Sequence, residues 1–251
     1  MRPDEYGVTI MLNRIAIFVA CLLALLLVLA AAEKPPAQFQ TVGKFSGGTA
    51  AENIALTSVR FGGHSDFTRM VLDFSTRLDN GNLVDANAHP VYSVEYREYP
   101  YRLVLKLQDV WFPPDIEVAA KPALPFSVVA REDGTIKEMQ VFLRGPAAFK
   151  VIEIDDPAKL SIDVKPLNTA VPDVYTVQLT GSYSATEAFA LVEQSTFPAG
   201  YEPSVLVLGD LVVVEQVILD PANASKLDAA LRDMGYASVI NERRGNELPQ
   251  Q

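Results

Sequence analysis

The chain has 251 residues, and acidic residues outnumber basic ones by 31 to 21, which gives a formal net charge of −10. This excess of negative charge excludes the basic face that nucleic acids require, so no nucleic-acid partner is expected. One cysteine and two histidines are present. The lone cysteine, Cys21, precedes the exported part, so no disulfide is expected there, and a histidine-rich zinc site cannot be assembled within this chain.

An almost unbroken apolar run follows Arg14 and extends over residues 15–32. As a helix, its roughly 18 residues would measure about 27 Å, close to the thickness of a hydrocarbon core. Residues 1–32 are therefore predicted to be a signal peptide or a membrane anchor. Because the positive charges precede the run, the remainder should face outward, in the periplasm or cell envelope. Cleavage of the leader, the true start at Met1 or Met11, and anchoring in the inner membrane stay open.

Strand signals dominate the middle of the chain. Residues 33–53 are rich in proline, glycine and threonine and are predicted to be a flexible linker. Over residues 54–166, β-branched and aromatic residues alternate with charged ones, and turn signals such as Gly62-Gly63 separate the runs. About eight such strands predict an all-β sandwich.

The sandwich region also repeats a pattern in its two halves. T-R-M-V-L-D at 68–73 and P-Y-R-L-V at 100–104 correspond to K-E-M-Q-V-F at 137–142 and P-A-K-L-S at 157–161. The order of these segments resembles the AMIN family, a β-sandwich of two similar halves that is implicated in binding peptidoglycan. The resemblance makes Arg69 and Arg102 candidates for secondary binding. The alternative for both is a solvated or ion-paired cation at the start of an alternating strand.

A second linker is predicted at residues 167–173, and residues 174–244 then contain strand, helix, strand twice. This order predicts a separate α+β domain of βαββαβ type, ferredoxin-like or RNP-like, with both helices on one face of four strands. The opposite face should be free for a ligand. The predicted fold class is therefore multi-domain, an all-β sandwich followed by this α+β domain, after an N-terminal signal or anchor helix.

Capping residues specify the two helices of this region. Ser184 and Glu187 fit a capping box, and Asp220 fits an N-cap followed by proline at the first helical position. Gly200 and Gly235, each followed by tyrosine, are expected to close the two helices.

The segment at residues 177–183 reads V-Q-L-T-G-S-Y. It resembles the first strand of the SPOR family, commonly written V-Q-x-G-S-F, whose members bind the glycan strands of peptidoglycan. The resemblance implies that Gln178, Ser182 and Tyr183 contact glycan, and a glutamine amide can both donate to and accept from sugar groups. The alternatives are a solvated glutamine, a turn serine and a core tyrosine.

The third strand of the same region departs from the family pattern. Val212 to Val214 and Glu215 stand where aromatic or arginine side chains are common. An apolar strand with one carboxylate suits a contact with protein as well as a contact with sugar.

No constellation for catalysis is found in the sequence. His64, Ser65 and Asp66 are adjacent, and adjacent residues cannot supply the geometry of a catalytic triad. The sequence thus predicts a non-enzyme, without metal or cofactor, that binds peptidoglycan in a cell-wall or division-related assembly. The alternative is a protein-interaction adaptor that joins other envelope proteins in a pilus, secretion or division complex.

Overall fold

The structure is a computed structural model, and it describes residues 38–112, 117–119, 126–130 and 136–250. The predicted signal peptide or anchor at residues 1–32 lies outside the described residues. Within those ranges, no helix is both long and apolar enough to cross a membrane.

Residues Pro35–Gln251 form one compact unit. Strands dominate the described residues, of which about half lie in strands and about an eighth in helices. The described residues contain sixteen strands and two helices, and the strands form three sheets, one of which curls into a half-barrel.

Two sheets contain the first twelve strands. Their bounds are β1 Lys44–Gly47, β2 Ile54–Gly63, β3 Thr68–Arg77, β4 Leu83–Asp85, β5 Tyr92–Arg97, β6 Arg102–Gln108, β7 Val110–Trp111, β8 Glu117–Ala119, β9 Phe126–Ala130, β10 Ile136–Phe142, β11 Ala147–Asp155 and β12 Ala158–Pro166. The five-stranded sheet has the order β1-β5-β6-β10-β9. The seven-stranded sheet has the order β11-β12-β3-β2-β7, with β4 on β3 and β8 on β2.

These two sheets share one hydrophobic core. Alternate residues of the long strands β3, β5 and β6 point inward, because successive side chains of a strand lie on opposite faces. Leu56, Leu72 and Leu160 from the seven-stranded sheet meet Leu103 and Leu105 from the five-stranded one, and all five are fully buried. The outer face of the five-stranded sheet therefore carries the intervening residues of β6 and β10.

The third sheet contains the last four strands and lies against both helices. The bounds are β13 Asp173–Leu179, α1 Ala185–Gln194, β14 Ser204–Leu208, β15 Leu211–Ile218, α2 Pro221–Asp233 and β16 Ser238–Arg244. Its order is β14-β15-β13-β16, and all of its pairs are antiparallel. Both helices pack on the face that carries Val177, Leu179 and Val214.

The predicted helix starts are confirmed. Ser184 and Glu187 form both bonds of the capping box at α1, and Asp220 accepts from the Ala222 N–H at 3.1 Å at the start of α2. Of the two glycines expected to close the helices, Gly235 follows α2 with φ of 88°. Gly200 lies in a later turn instead, because α1 is already capped at Ser195. The prediction for Gly200 is therefore wrong.

The second face of the third sheet packs against the outer face of the five-stranded sheet. Leu206 of β14 and Val213 of β15 form a buried cluster with Phe142 of β10. Beside this cluster, the buried Gln140 amide donates to the Val205 carbonyl at 2.8 Å and accepts from the Val207 N–H at 3.2 Å. A side chain of one sheet thus occupies the outer edge of β14 in the manner of a neighbouring strand.

The fold class predicted from the sequence is wrong. It placed a sandwich and an independent βαββαβ domain in series, whereas the described chain is one compact, mostly β unit of three sheets. The physical reason is the contact around Gln140 and Phe142, which joins the third sheet to the five-stranded sheet through buried hydrogen bonds and apolar packing.

Candidate functional site

A polar cleft of about 330 Å³ lies at the rim of the third sheet. Its lining comes from β13, β16 and the segment after β16, and comprises Gln178, Asn241, Glu242, Arg243, Glu247, Leu248, Pro249 and Gln250. We call it the Gln178 cleft. The Asn241 Nδ2 donates to the Gln178 Oε1 at 3.1 Å, so two amides from adjacent strands meet in it.

The amide pair keeps hydrogen-bonding capacity for a ligand. Gln178 is half-buried and Asn241 is exposed. Their mutual bond uses one acceptor of Gln178 and one donor of Asn241, and the described residues supply no other side-chain bond to either amide. The Gln178 NH₂ group and the Asn241 carbonyl oxygen are therefore available as donor and acceptor.

Most of the sheet face around Gln178 is covered, which corrects the expectation that this face is free. Val174 and Thr176, on the same face of β13, are fully buried, and so is Glu215 of β15 at 1% exposure. The segment after β16 adds to the cover, because Leu248 packs against the cluster of Phe142. Beside Gln178, the face remains open to a ligand at its rim, in the Gln178 cleft.

A buried ion pair between Arg243 and Glu215 lies beside the cleft. Both Arg243 Nη atoms donate to the Glu215 carboxylate, at 2.8 and 2.5 Å, and the two side chains are only 9% and 1% exposed. Because a bidentate pair satisfies both charges, Glu215 is unavailable to a ligand. The apolar strand with one carboxylate, which the sequence marked as suited to a protein contact, makes that contact within the chain.

Ser182 and Tyr183 do not meet Gln178. They line an open hollow on the helix side, together with Glu187, Leu191 and other residues of α1. The Tyr183 hydroxyl donates to the Thr180 carbonyl at 3.2 Å, and its ring packs against the core under the helices. Tyr183 is thus partly buried against this core while it also lines the open hollow.

Gly181 makes this arrangement of Tyr183 feasible. Its φ is 155°, and a Cβ there would lie 2.7 Å from the Tyr183 ring. Within the V-Q-L-T-G-S-Y segment, Gln178 therefore lies on one face of the sheet and Tyr183 lies on the other.

Arg69 lies on the outer face of the seven-stranded sheet, remote in the fold from Gln178. Its Nε and Nη2 donate to Asp163 at 2.5 and 2.8 Å, and the Lys150 Nζ lies 3.4 Å from the same carboxylate. The hydrogen bond to Asp163 raises the pKa of Arg69. Its guanidinium also lies 5.4 Å from the centre of the Phe67 ring. This geometry is the ion-paired arrangement that the sequence left as the alternative.

Arg102, the other secondary candidate, begins β6 on the five-stranded sheet and is 3% exposed. Its Nη1 donates to the Pro100 carbonyl at 3.1 Å. The two arginines thus lie on different sheets, and the structure brings neither to the Gln178 cleft.

The sequence analysis did not identify Asn241 or Gln140 as important residues. Asn241 faces Thr176 in the register of β13 and β16, which puts it diagonally beside Gln178. The amide pair becomes visible only from that register, because no local sequence pattern indicates that Gln178 and Asn241 are neighbours. For Gln140, the available signal was a polar residue between Met139 and Val141 in an apolar strand.

The described residues contain no group of three or more metal-ligating side chains. Their two histidines are separate: His64 stacks on Phe67 at 4.2 Å between ring centres, whereas His89 is buried with its Nε2 3.0 Å from the Ile154 carbonyl oxygen. Comparison of the chain with protein-family models, curated proteins and solved structures finds no match.

Proposed function

We propose that this chain is a non-catalytic protein of the bacterial cell envelope that binds the glycan of peptidoglycan through the Gln178 cleft. The observation that carries the proposal is the Gln178–Asn241 amide pair at a polar cleft of about 330 Å³. Sugar hydroxyls and N-acetyl groups both donate and accept hydrogen bonds, and the pair offers one donor group and one acceptor for them.

Two features of the sequence support the proposal. Gln178 stands in the segment that resembles the first SPOR strand, and the apolar run at residues 15–32 would export the rest of the chain to the compartment where peptidoglycan lies. Ser182 and Tyr183 are not included in the proposed site, because they lie on the helix side of the sheet.

Co-sedimentation with purified sacculi tests this function. We expect the full-length chain to sediment with sacculi, and we expect Gln178→Ala and Asn241→Ala each to weaken binding about five- to tenfold, the size of one lost hydrogen bond. Asn223→Ala is the matched control, because Asn223 is an exposed amide on α2. Equal sedimentation of all three variants and the unaltered chain would contradict the assignment of the cleft.

A protein-interaction adaptor is the second candidate, and β16 favours it. This strand pairs with β13 alone among the described strands, and Val239 on it is 37% exposed. An unpaired strand edge can accept an extended segment of a partner through main-chain hydrogen bonds. Failure of the unaltered chain to sediment with sacculi would reject glycan binding and leave the adaptor as the better-supported function.

A further inference from the structure

Arg102 is a buried cation at the junction of the five-stranded and third sheets. It begins β6, where it pairs with Arg97 of β5 and Phe142 of β10, and it points to the outer face of the sheet. The third sheet covers this face, so Arg102 is 3% exposed. Burial lowers the pKa of the Arg102 guanidinium to about 10, which leaves it charged at neutral pH.

The Glu215, Glu138 and Glu95 carboxylates attract this charge through space, but the described residues give it no ion pair. One bond, from Nη1 to the Pro100 carbonyl, is the only hydrogen bond that they make to the guanidinium, and Nε is buried without an acceptor. No carboxylate among them lies within ion-pair distance of Arg102. Burying a charge without an ion-pair partner is unfavourable, so a site of this kind favours an anion.

The neighbouring carboxylates are held elsewhere. Glu138 accepts from the Gln140 amide at 2.9 Å and lies 3.7 Å from the Lys106 Nζ. Glu215 is paired with Arg243, and Glu95 is paired with Arg97. Rotation of any of these carboxylates toward Arg102 would therefore break a contact that already exists.

A cleft of about 160 Å³ opens beside Arg102, between the outer face of β6 and β10 and helix α1. Among the described residues that line it are three cations, Arg97, Arg102 and Lys106, and two carboxylates, Glu138 and Glu193, whose formal charges sum to +1. One negative charge neutralises this cleft, whereas a dianion would leave an excess.

A second cavity touches Arg102 but does not suit an anion. Its volume is about 250 Å³, and the carboxylates of Glu98, Glu202 and Glu215 outnumber the cations Arg97 and Arg102. Charge therefore selects the smaller cleft, on the side of Lys106 and α1.

We propose that Arg102 binds a carboxylate group of a small, singly charged ligand in the cleft between β6, β10 and α1. The planar guanidinium matches a carboxylate in shape and charge, and Arg102 lines this cleft without an ion-pair partner among the described residues. This site is separate from the Gln178 cleft, and it does not depend on glycan binding.

Acetate is the probe for this site. In the full-length chain at neutral pH, acetate at about ten times its dissociation constant should raise Tm by roughly 3–6 °C relative to chloride at equal ionic strength. Arg102→Met should abolish this response. Its Tm without acetate should be unchanged or higher, because the substitution removes an uncompensated buried charge.

Arg60→Met is the matched control, because Arg60 lies on the other sheet and is paired with Asp73. It should keep the full response to acetate. An Arg102→Met chain that responds to acetate as the unaltered chain does would overturn the proposal.

Direct titration keeps the test independent of the stability of any variant. Saturable acetate-dependent shifts in the amide spectrum around β6 and α1 are expected, and their absence would overturn the site. A tripeptide with a free carboxyl terminus, compared with acetate and with its own amide, identifies the source of the carboxylate. Tighter binding of the tripeptide than of acetate, with no binding of the amide, supports the site and assigns the ligand as a peptide end.

Discussion

Two carboxylates on the outer face of the seven-stranded sheet are each held by one arginine and one lysine. Asp73 accepts from Arg60 at 2.6 and 2.8 Å, with the Lys159 Nζ at 3.4 Å. Asp163 is held in the same way by Arg69 and Lys150. Burial alone would raise the pKa of both carboxyls, but the hydrogen bonds and the nearby positive charges outweigh it and lower both pKa values.

These ion pairs predict how the free energy of unfolding depends on pH. Because the folded pKa of Asp163 lies below its unfolded value, its contribution is fully present above that unfolded value and is lost as pH falls through the folded pKa. Urea unfolding should therefore give a constant free energy from about pH 7 to about pH 5 and a decline below about pH 4. Asp163→Asn should lower stability at neutral pH and flatten the decline.

Asp66→Asn is the control for this experiment, because Asp66 is 55% exposed in its pair with Lys165. It should leave the acid limb unchanged. An Asp163→Asn chain with the acid slope of the unaltered chain would contradict the assigned role of the pair.

The sequence offered Arg69 as a binding candidate, and its carboxylate partner, 94 positions away, could not be identified without the pairing of β3 and β12.

At the scale of elements, local chemistry defined the helix starts well. In the capping box of α1, the Ser184 N–H donates to Glu187 at 2.8 Å and the Glu187 N–H donates to the Ser184 hydroxyl at 3.3 Å. These contacts involve neighbours in sequence, so the motif alone was sufficient to predict them. The parallel pairing of β2 with β7 and β8 had no such signal, because it depends on long-range packing.

Loss of the α1 cap should be measurable. Ser184→Ala removes the acceptor for the Glu187 N–H and should lower the free energy of unfolding by about 1 kcal/mol. Ser225→Ala on α2 is the control: its hydroxyl donates to the Pro221 carbonyl within the helix, and we expect a change within about 0.5 kcal/mol. Equal losses for the two variants in urea unfolding would show that the cap has no special role.

At the scale of the whole molecule, the sequence predicted the individual strands and helices better than it predicted whether the two regions fold independently. The change from alternating strands to helical spacing after residue 166 was interpreted as a domain boundary. The structure unites both regions around Gln140, whose amide makes three buried hydrogen bonds, to Glu138, Val205 and Val207. A contact between a side chain and a distant strand edge has no periodicity, so the sequence pattern could not predict it.

A single unfolding transition is therefore expected. Fluorescence of Trp111, the only tryptophan, reports on the seven-stranded sheet, and far-ultraviolet dichroism of the helices reports on the third sheet. The two curves should coincide in urea. Two separated transitions would contradict the description as one cooperative unit.

Gln140→Met should shift both curves together by roughly 2–4 kcal/mol, because backbone groups of β14 would be left buried without partners. Gln108→Met is the control, since Gln108 lies on the same outer face but is exposed. A shift confined to one probe would show that the two parts unfold independently.

Because Gln140 occupies the β14 edge, the number of copies of the chain that could associate through the third sheet is limited. Sheets extend by adding strands at unpaired edges, and a sheet with two open edges can polymerise without end. In the third sheet, the amide already bonds the β14 edge, whereas β16 pairs on one side only among the described strands. Two copies joined through β16 would use up that edge in a two-fold pair, so self-association of this sheet would stop at a dimer.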